Sequence, residues 1–208
     1  MKIKKKVKRN LIISLVILVI ILLLLVLSPY IFNKNTKTKV KVISKITDYG
    51  YELKDNKPSN YKKKFKELDK ILNEKEVDYE KYASTLSELF IIDFYTLENK
   101  KSKTDVGGVE FVHPDIEENF LENATNTYYK YLESNIYGKR KQNLPEVKNV
   151  VISNIKKTTY TYPNKTYEEA YSLTAEWTYQ SESFAKYQSK ANLTLVRDGK
   201  KLLIVELQ

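Results

Sequence analysis

The sequence predicts a membrane-anchored α+β chain: one N-terminal transmembrane helix, then one domain with about three helices packed on a curled antiparallel sheet. Three observations predict it. An aliphatic run fills residues 11–27, helical apolar spacing recurs between Ser59 and Tyr131, and from Pro145 onward the apolar period shortens from 3.6 to 2.

Residues 1–9, MKIKKKVKR, carry six Lys or Arg and no acid, forming a basic tail. LIISLVILVIILLLLVL (11–27) is aliphatic at sixteen of seventeen positions, Ser14 being the exception. As a helix this run rises about 25 Å, and SPYIF extends the apolar path towards the roughly 30 Å of a hydrocarbon core. A buried core helix needs a polar face, and this run has none, so 10–32 reads as an anchor. A cleaved leader fits less well, because Val26 and Ser28 are a poor match to a cleavage site and Pro29 would follow the cut. Tyr30 and Phe32 suit the outer interface. The dense basic tail outweighs the sparser Lys34, Lys37, Lys39 and Lys41, which keeps the N terminus cytoplasmic and places the C-terminal domain outside the cell membrane. NKNTKTK (33–39) is a polar linker, and 40–208 is the extracytoplasmic domain.

Composition narrows the chemistry. The 208 residues have a formal net charge of +10, but outside the tail 30 basic residues face 26 acidic ones, so a nucleic-acid partner gains little support. The absence of cysteine excludes disulfides, thiol nucleophiles, cysteine metal sites and a lipid-modified N-terminal cysteine. A single histidine excludes a histidine-rich metal site, and no cofactor is expected. The 17 tyrosines, with abundant Lys, Asn and Ile, fit the codon bias of an AT-rich genome.

Within the domain, VKVISKITDYGYEL (40–53) is β-branched and aromatic, with Gly50 as a bend: one strand or a small hairpin. Pro58 and Ser59 open a helix whose Tyr61, Phe65, Leu68 and Leu72 share a face. Asp78 caps a second helix buried along Tyr79, Tyr82, Ala83, Leu86, Leu89 and Phe90. LFIIDFY (89–95) is apolar almost all round and should lie centrally. ENKKSKT (98–104) is a polar loop. Gly107-Gly108 then turns into VEFV, a short β-like run. Pro114 and Asp115 start a third helix, with Asp115 and Glu118 as a capping-box pair and Ile116, Phe120, Ala124, Tyr128 and Tyr131 as its stripe. Gly138 ends it, and Lys139, Arg140 and Lys141 meet its negative end.

The C-terminal part alternates. VKNVVISNIKKTTYTY (147–162) is a long strand with a bulge. Tyr171, Leu173, Ala175, Trp177 and Tyr179 face inward against Ser172, Thr174, Glu176, Thr178 and Gln180. Tyr187, Ala191, Leu193 and Leu195 repeat the pattern, Asp198-Gly199 is a hairpin turn, and LLIVEL (202–207) pairs back. Such a terminal strand leaves no room for a C-terminal sorting signal, a second span or a wall-attachment tail.

Candidate sites are few. His113 lies just before a proline-led helix and has no orienting group or nucleophile beside it, so it reads as a helix-start residue before a general base. Gly107-Gly108 lacks the lysine and further glycine of a phosphate loop. Asp93 interrupts the most apolar stretch, and a buried carboxylate needs a partner. It is a hydrogen-bonded structural acid or an acid at the mouth of a cavity. Trp177 and Tyr179 are core residues or, with Asp93, the lining of a ligand pocket. The lysine runs at 62–66 and 139–141 are solvated faces and caps, with contact to anionic cell-surface polymers as the alternative. Spacing nominates no carboxylate pair for glycan cleavage.

Three helices followed by strands at 147–162, 171–180, 187–197 and 202–207 resemble the nuclear-transport-factor-like (cystatin-like) cone over about residues 40–208, on element order. A strand at 40–53 departs from that cone's usual opening. A basic tail, one span and such an outer domain resemble the bridging subunits of conjugation and type IV secretion machines. The layout also resembles single-pass membrane proteins of low-GC Gram-positive bacteria, with LFIIDFYTLENKKSKTDVGGVEFV as the most family-like segment. The resemblance implies holding of partners without catalysis, and it carries over no functional residue. The expected function is a non-enzymatic interaction or scaffold domain in a cell-envelope or membrane assembly. Its partners would be the bilayer through 11–27 and envelope proteins, not nucleic acid. A small-ligand or envelope-polymer binding cone lined by Asp93, Trp177 and Tyr179 is the alternative, ahead of an acid-dependent enzyme.

Overall fold

The computed structural model describes residues 15–21, 23, 40–162 and 164–208, and it divides into two units, Met1–Lys39 and Val40–Gln208. In the first unit residues 15–21 are helical. Among the described residues no helix is long and apolar enough to cross a membrane. The basic tail, the linker and the remainder of the expected span over 11–27 lie outside the described residues.

The second unit is an α+β domain. A hairpin of β1 (Val42–Ile46) and β2 (Tyr51–Lys54) opens it, joined by a 3-10 turn at Thr47–Tyr49. Helices α1 (Ser59–Leu72), α2 (Tyr79–Tyr95) and α3 (Pro114–Asn126) follow. The strands β3 (Val147–Thr161), β4 (Thr166–Tyr179), β5 (Lys190–Asp198) and β6 (Lys201–Leu207) form an antiparallel meander in the order β3-β4-β5-β6.

The period of 2 sets the faces of this sheet. Val150 lies opposite Trp177, Ile152 opposite Ala175, and Leu173 opposite Leu193, all pointing into one core with the helices. Thr178, Glu176 and Val151 point the other way and are exposed. Three register shifts along β3, with Asn154 at φ 55, supply the expected bulge and more.

Helix α2 is the centre of the domain. Its N-cap Asp78 accepts the N–H groups of Glu80 and Lys81, each at 3.1 Å. Leu86, Leu89, Phe90 and Ile91 are fully buried, because α1 and the sheet each cover part of its surface. Its last carbonyls find side-chain donors: Tyr129 Oη donates to Phe94 O at 2.6 Å and Tyr128 Oη to Tyr95 O at 3.0 Å.

Several local expectations are corrected. VEFV is not a strand: Val109–Phe111 is a 3-10 turn that buries Phe111, and Val112 makes a single parallel bridge to Ile204 of β6. The cap of α3 is His113, not Asp115. The ring Nδ1 accepts Asp115 N–H at 3.2 Å, while the Asp115 side chain is exposed beside it. Helix α3 ends at Asn126, short of Gly138. Thr125 and Thr127 donate their hydroxyls to Leu121 O and Asn123 O, the local competition that makes such residues poor helix interiors. The helical phase is then lost, so Tyr129 and Leu132 are buried and Tyr131 is 77% exposed. Arg140 does not meet the end of α3: its guanidinium donates to Glu98 O at 2.6 Å and Lys100 O at 2.8 Å. Tyr187 precedes β5 and is half-exposed.

The facing of the sheet gives a direct test. Leu193→Ala, at a buried inward position, is expected to lower unfolding free energy by about 2–5 kcal/mol, whereas Val151→Ala on the outer face should change it by about 0.5 kcal/mol or less. Urea denaturation of the full chain followed by Trp177 fluorescence measures both.

Candidate functional site

The most deeply buried acid among the described residues is Asp93, near the C-terminal end of α2 and 2% exposed. Its Oδ1 accepts from Lys100 Nζ at 2.7 Å. Its Oδ2 accepts from Lys57 Nζ at 2.5 Å and from the Gly108 N–H at 2.7 Å. Lys57 sits in the turn before α1, and Lys100 in the loop after α2. The two lysines are themselves nearly buried, with side chains 11% and 4% exposed.

The local sequence explains how these groups meet. Lys100 follows Asp93 by seven residues, after the chain leaves the helix at Thr96 and folds back. Gly107 and Gly108 bring the backbone against the same turn of α2. A Cβ on Gly107 would collide with the Asp93 carbonyl, and one on Gly108 would lie 2.6 Å from the Phe90 ring at a φ of +76. Gly107 N–H also donates to Tyr129 Oη at 3.1 Å. The two glycines are thus required by close approach to a helix, not by a ligand.

Electrostatics follow from sharing. Burial alone would raise the Asp93 carboxyl, but Lys100 and Lys57 together outweigh it and hold the group well below the usual carboxylate range. Lys100 moves down, because burial disfavours its ammonium and the single carboxylate it faces is shared with Lys57. Glu110 stands nearby with Oε1 accepting from Tyr61 Oη at 3.1 Å. Glu110 is exposed at the cleft, yet protein packed around its carboxyl raises the group, with Lys57 opposing that shift and Asp93 adding to it.

These groups form the floor and one wall of a cleft of about 880 Å³ between the β1–β2 hairpin and the 99–110 loop. Its chemistry is limited. Asp93 is a poor base, since it is already bound by two cations and an N–H. The Lys100 amine is tied to Asp93 Oδ1 at 2.7 Å and is 4% exposed, so it has little access to a substrate in the cleft. Two lysines and two acids leave the floor near neutral. Among the described residues no group of three or more histidine, cysteine, aspartate or glutamate side chains converges as metal ligands would.

The sequence-nominated residues do not come together here. Trp177 packs on Tyr95 with ring centroids 4.2 Å apart, and Tyr179 Oη donates to Gln188 O at 2.6 Å. Both are buried core residues, and neither lines the cleft at Asp93. His113 is buried: beyond its cap bond, its Nε2 lies 2.9 Å from Tyr167 Oη. With Nδ1 accepting an N–H, the network assigns the ring proton to Nε2. Lys57 and Lys100 escaped the reading of the sequence, where nothing separates them from 34 other Lys and Arg residues. The one available signal was the need of Asp93 for a cation.

No protein family, curated protein or solved structure matches this chain.

Three measurements test the site. Asp93→Asn should cost about 3–5 kcal/mol of stability, because two buried ammonium groups lose their counter-charge. Between the unfolded carboxyl value of about 3.9 and the lower folded value, only the unfolded chain takes up the proton, so the contribution of Asp93 is present above pH ~4 and lost as pH falls. The native chain should therefore lose stability more steeply below pH ~4 than Asp93→Asn in urea titrations. Gly107→Ala should cost more than about 2 kcal/mol through backbone displacement alone.

Proposed function

We propose that this protein is a non-enzymatic, membrane-anchored interaction domain, held outside the cell membrane by residues 11–27, that contributes to a cell-envelope or membrane assembly by binding protein partners. The observation that carries the reading is how the reactive side chains are engaged. The single histidine caps a helix and bonds Tyr167, and the buried acid near the end of α2 is neutralised by two lysines. Trp177 and Tyr179, which could have lined a pocket, are packed as core. A nucleophile, base and orienting group in mutual reach would be needed for catalysis. The order of three helices and an antiparallel meander supports a nuclear-transport-factor-like cone, with the β1–β2 hairpin as an addition. That layout is the basis for likening the chain to bridging subunits of conjugation and type IV secretion machines and to single-pass proteins of low-GC Gram-positive bacteria.

A second reading has one observation in its favour. The cleft over Lys57, Asp93 and Lys100 has the volume of a small-ligand site, so the domain would bind a small polar ligand or an envelope polymer there.

Alkaline carbonate extraction, protease treatment of sealed cells and in-membrane crosslinking test the first reading. The chain is expected to stay with the membrane, to be cleaved from outside, and to crosslink to a defined envelope protein. Recovery as a freely soluble species, or turnover of a substrate by the chain, would overturn it.

A further inference from the structure

The loop after α3 carries an apolar surface that the core does not use. Tyr131 is 77% exposed, Tyr137 70% and Ile136 54%. Loops that expose three large apolar side chains within seven residues mark a contact surface. Lysines predominate around it: Lys130, Lys139 and Lys141 are exposed in the same loop, with Glu133 as the one exposed acid between them, and Glu98 and Asp105 are exposed in the adjoining loop. Lys130 Nζ lies 5.3 Å from the centre of the Tyr131 ring, so cation and aromatic are presented side by side.

The neighbouring loop adds to it. Asn135 N–H donates to Lys101 O at 2.7 Å, and Arg140 is fixed on the carbonyls of Glu98 and Lys100. This joins the loop after α3 to the 98–103 loop, in which Lys101 and Lys103 are exposed. The loop is therefore a shaped feature of the domain, held by the backbone bond of Asn135 and the side chain of Arg140.

Position selects the occupant. Val40, where the chain enters the domain, lines the same cleft as Ile136 and Lys101. Seven residues, 33–39, separate the expected anchor from Val40, and seven residues span at most about 25 Å, so in the anchored reading the linker limits how far Val40 can lie from the bilayer. Tyrosine side chains with an apolar neighbour and a lysine rim match the headgroup region of an anionic bilayer, where amphipathic rings and basic residues both gain. We propose that the face formed by Tyr131, Ile136, Tyr137 and the surrounding lysines rests on the anionic lipid surface of the membrane that holds the chain. This inference rests on the anchored reading above.

The chain has no cysteine, so Ser134→Cys gives one labelling point inside the loop and Thr178→Cys one on the outer face of β4. Each full-length variant is reconstituted into vesicles of zwitterionic lipid, or of the same lipid with about one third phosphatidylglycerol, containing a headgroup quencher. The label at position 134 is expected to be quenched at least about threefold more than that at 178, in anionic vesicles only. Combining Tyr131→Ser, Ile136→Ser and Tyr137→Ser should remove the difference, as should Lys130→Glu with Lys139→Glu and Lys141→Glu. Equal quenching at both positions, or equal quenching in both lipids, overturns the inference. So does protection of position 134 by a second copy or another protein and not by lipid. Carbonate release of the whole chain from the vesicles would overturn the anchored reading as well, whereas a retained chain with a solvent-like label at 134 overturns the lipid contact alone.

Discussion

The carboxylate of Asp93 joins three separate parts of the chain: the turn before α1 through Lys57, the loop after α2 through Lys100, and the Gly107-Gly108 turn through a backbone N–H. Removing a carboxylate and two ammonium groups from water is costly, and the attraction between them offsets that only when geometry is good and each oxygen is bonded. Both oxygens of Asp93 are bonded, one of them twice. An apolar trio of similar volume would fill the same space but would not specify which loop meets which turn of the helix. The charged cluster does, since each ammonium is directed onto its own oxygen of one carboxylate. The loop from Asn99 to Glu110 then frames a cleft whose walls are set by α2.

Tyrosine hydroxyls provide a second level of the same construction. Tyr51 and Tyr82 hydroxyls lie 2.6 Å apart, and Tyr82 accepts the Leu202 N–H at 3.2 Å, linking the hairpin, α2 and β6. Burial pushes the Tyr82 hydroxyl up to about 12, so this chain of groups stays neutral across ordinary pH. Tyr128 and Tyr129 close the C-terminal end of α2, and Tyr167 holds the capping histidine. Composition alone made the tyrosines look like codon bias. In the fold, these buried ones each place a ring in the core and a hydroxyl on a backbone or side-chain partner.

Much of this domain was legible in the sequence because two periodicities carry it. Tyr61, Phe65, Leu68 and Leu72 on α1, and the alternation from Tyr171 to Tyr179, are enforced by burial of one face, and both held. The end of α3 was not legible, because Tyr128 and Tyr131 continue a helical spacing that Thr125 and Thr127 interrupt by bonding carbonyls. The His113 cap was hidden for a related reason: aspartate is the more familiar cap, and only the bridge of Val112 to Ile204 turns the imidazole towards the helix start. Asp93 was recognisable as an acid in need of a partner. Its partners come from loops on either side of it in sequence, and loop lysines carry no periodic mark.

The way polar groups are committed bears on where recognition takes place. The imidazole, the central carboxylate and the core tyrosines are all engaged in fixing loops to helices. Moving any of them to serve a ligand would release a loop and expose unpaired buried groups. The outward side chains on those loops are under no such constraint: Tyr131, Ile136, Tyr137 and their lysines are mounted on a backbone that Arg140 and Asn135 hold in place, yet they make no demand on the core. A domain built this way keeps its interior for shape and carries its contacts on the rim.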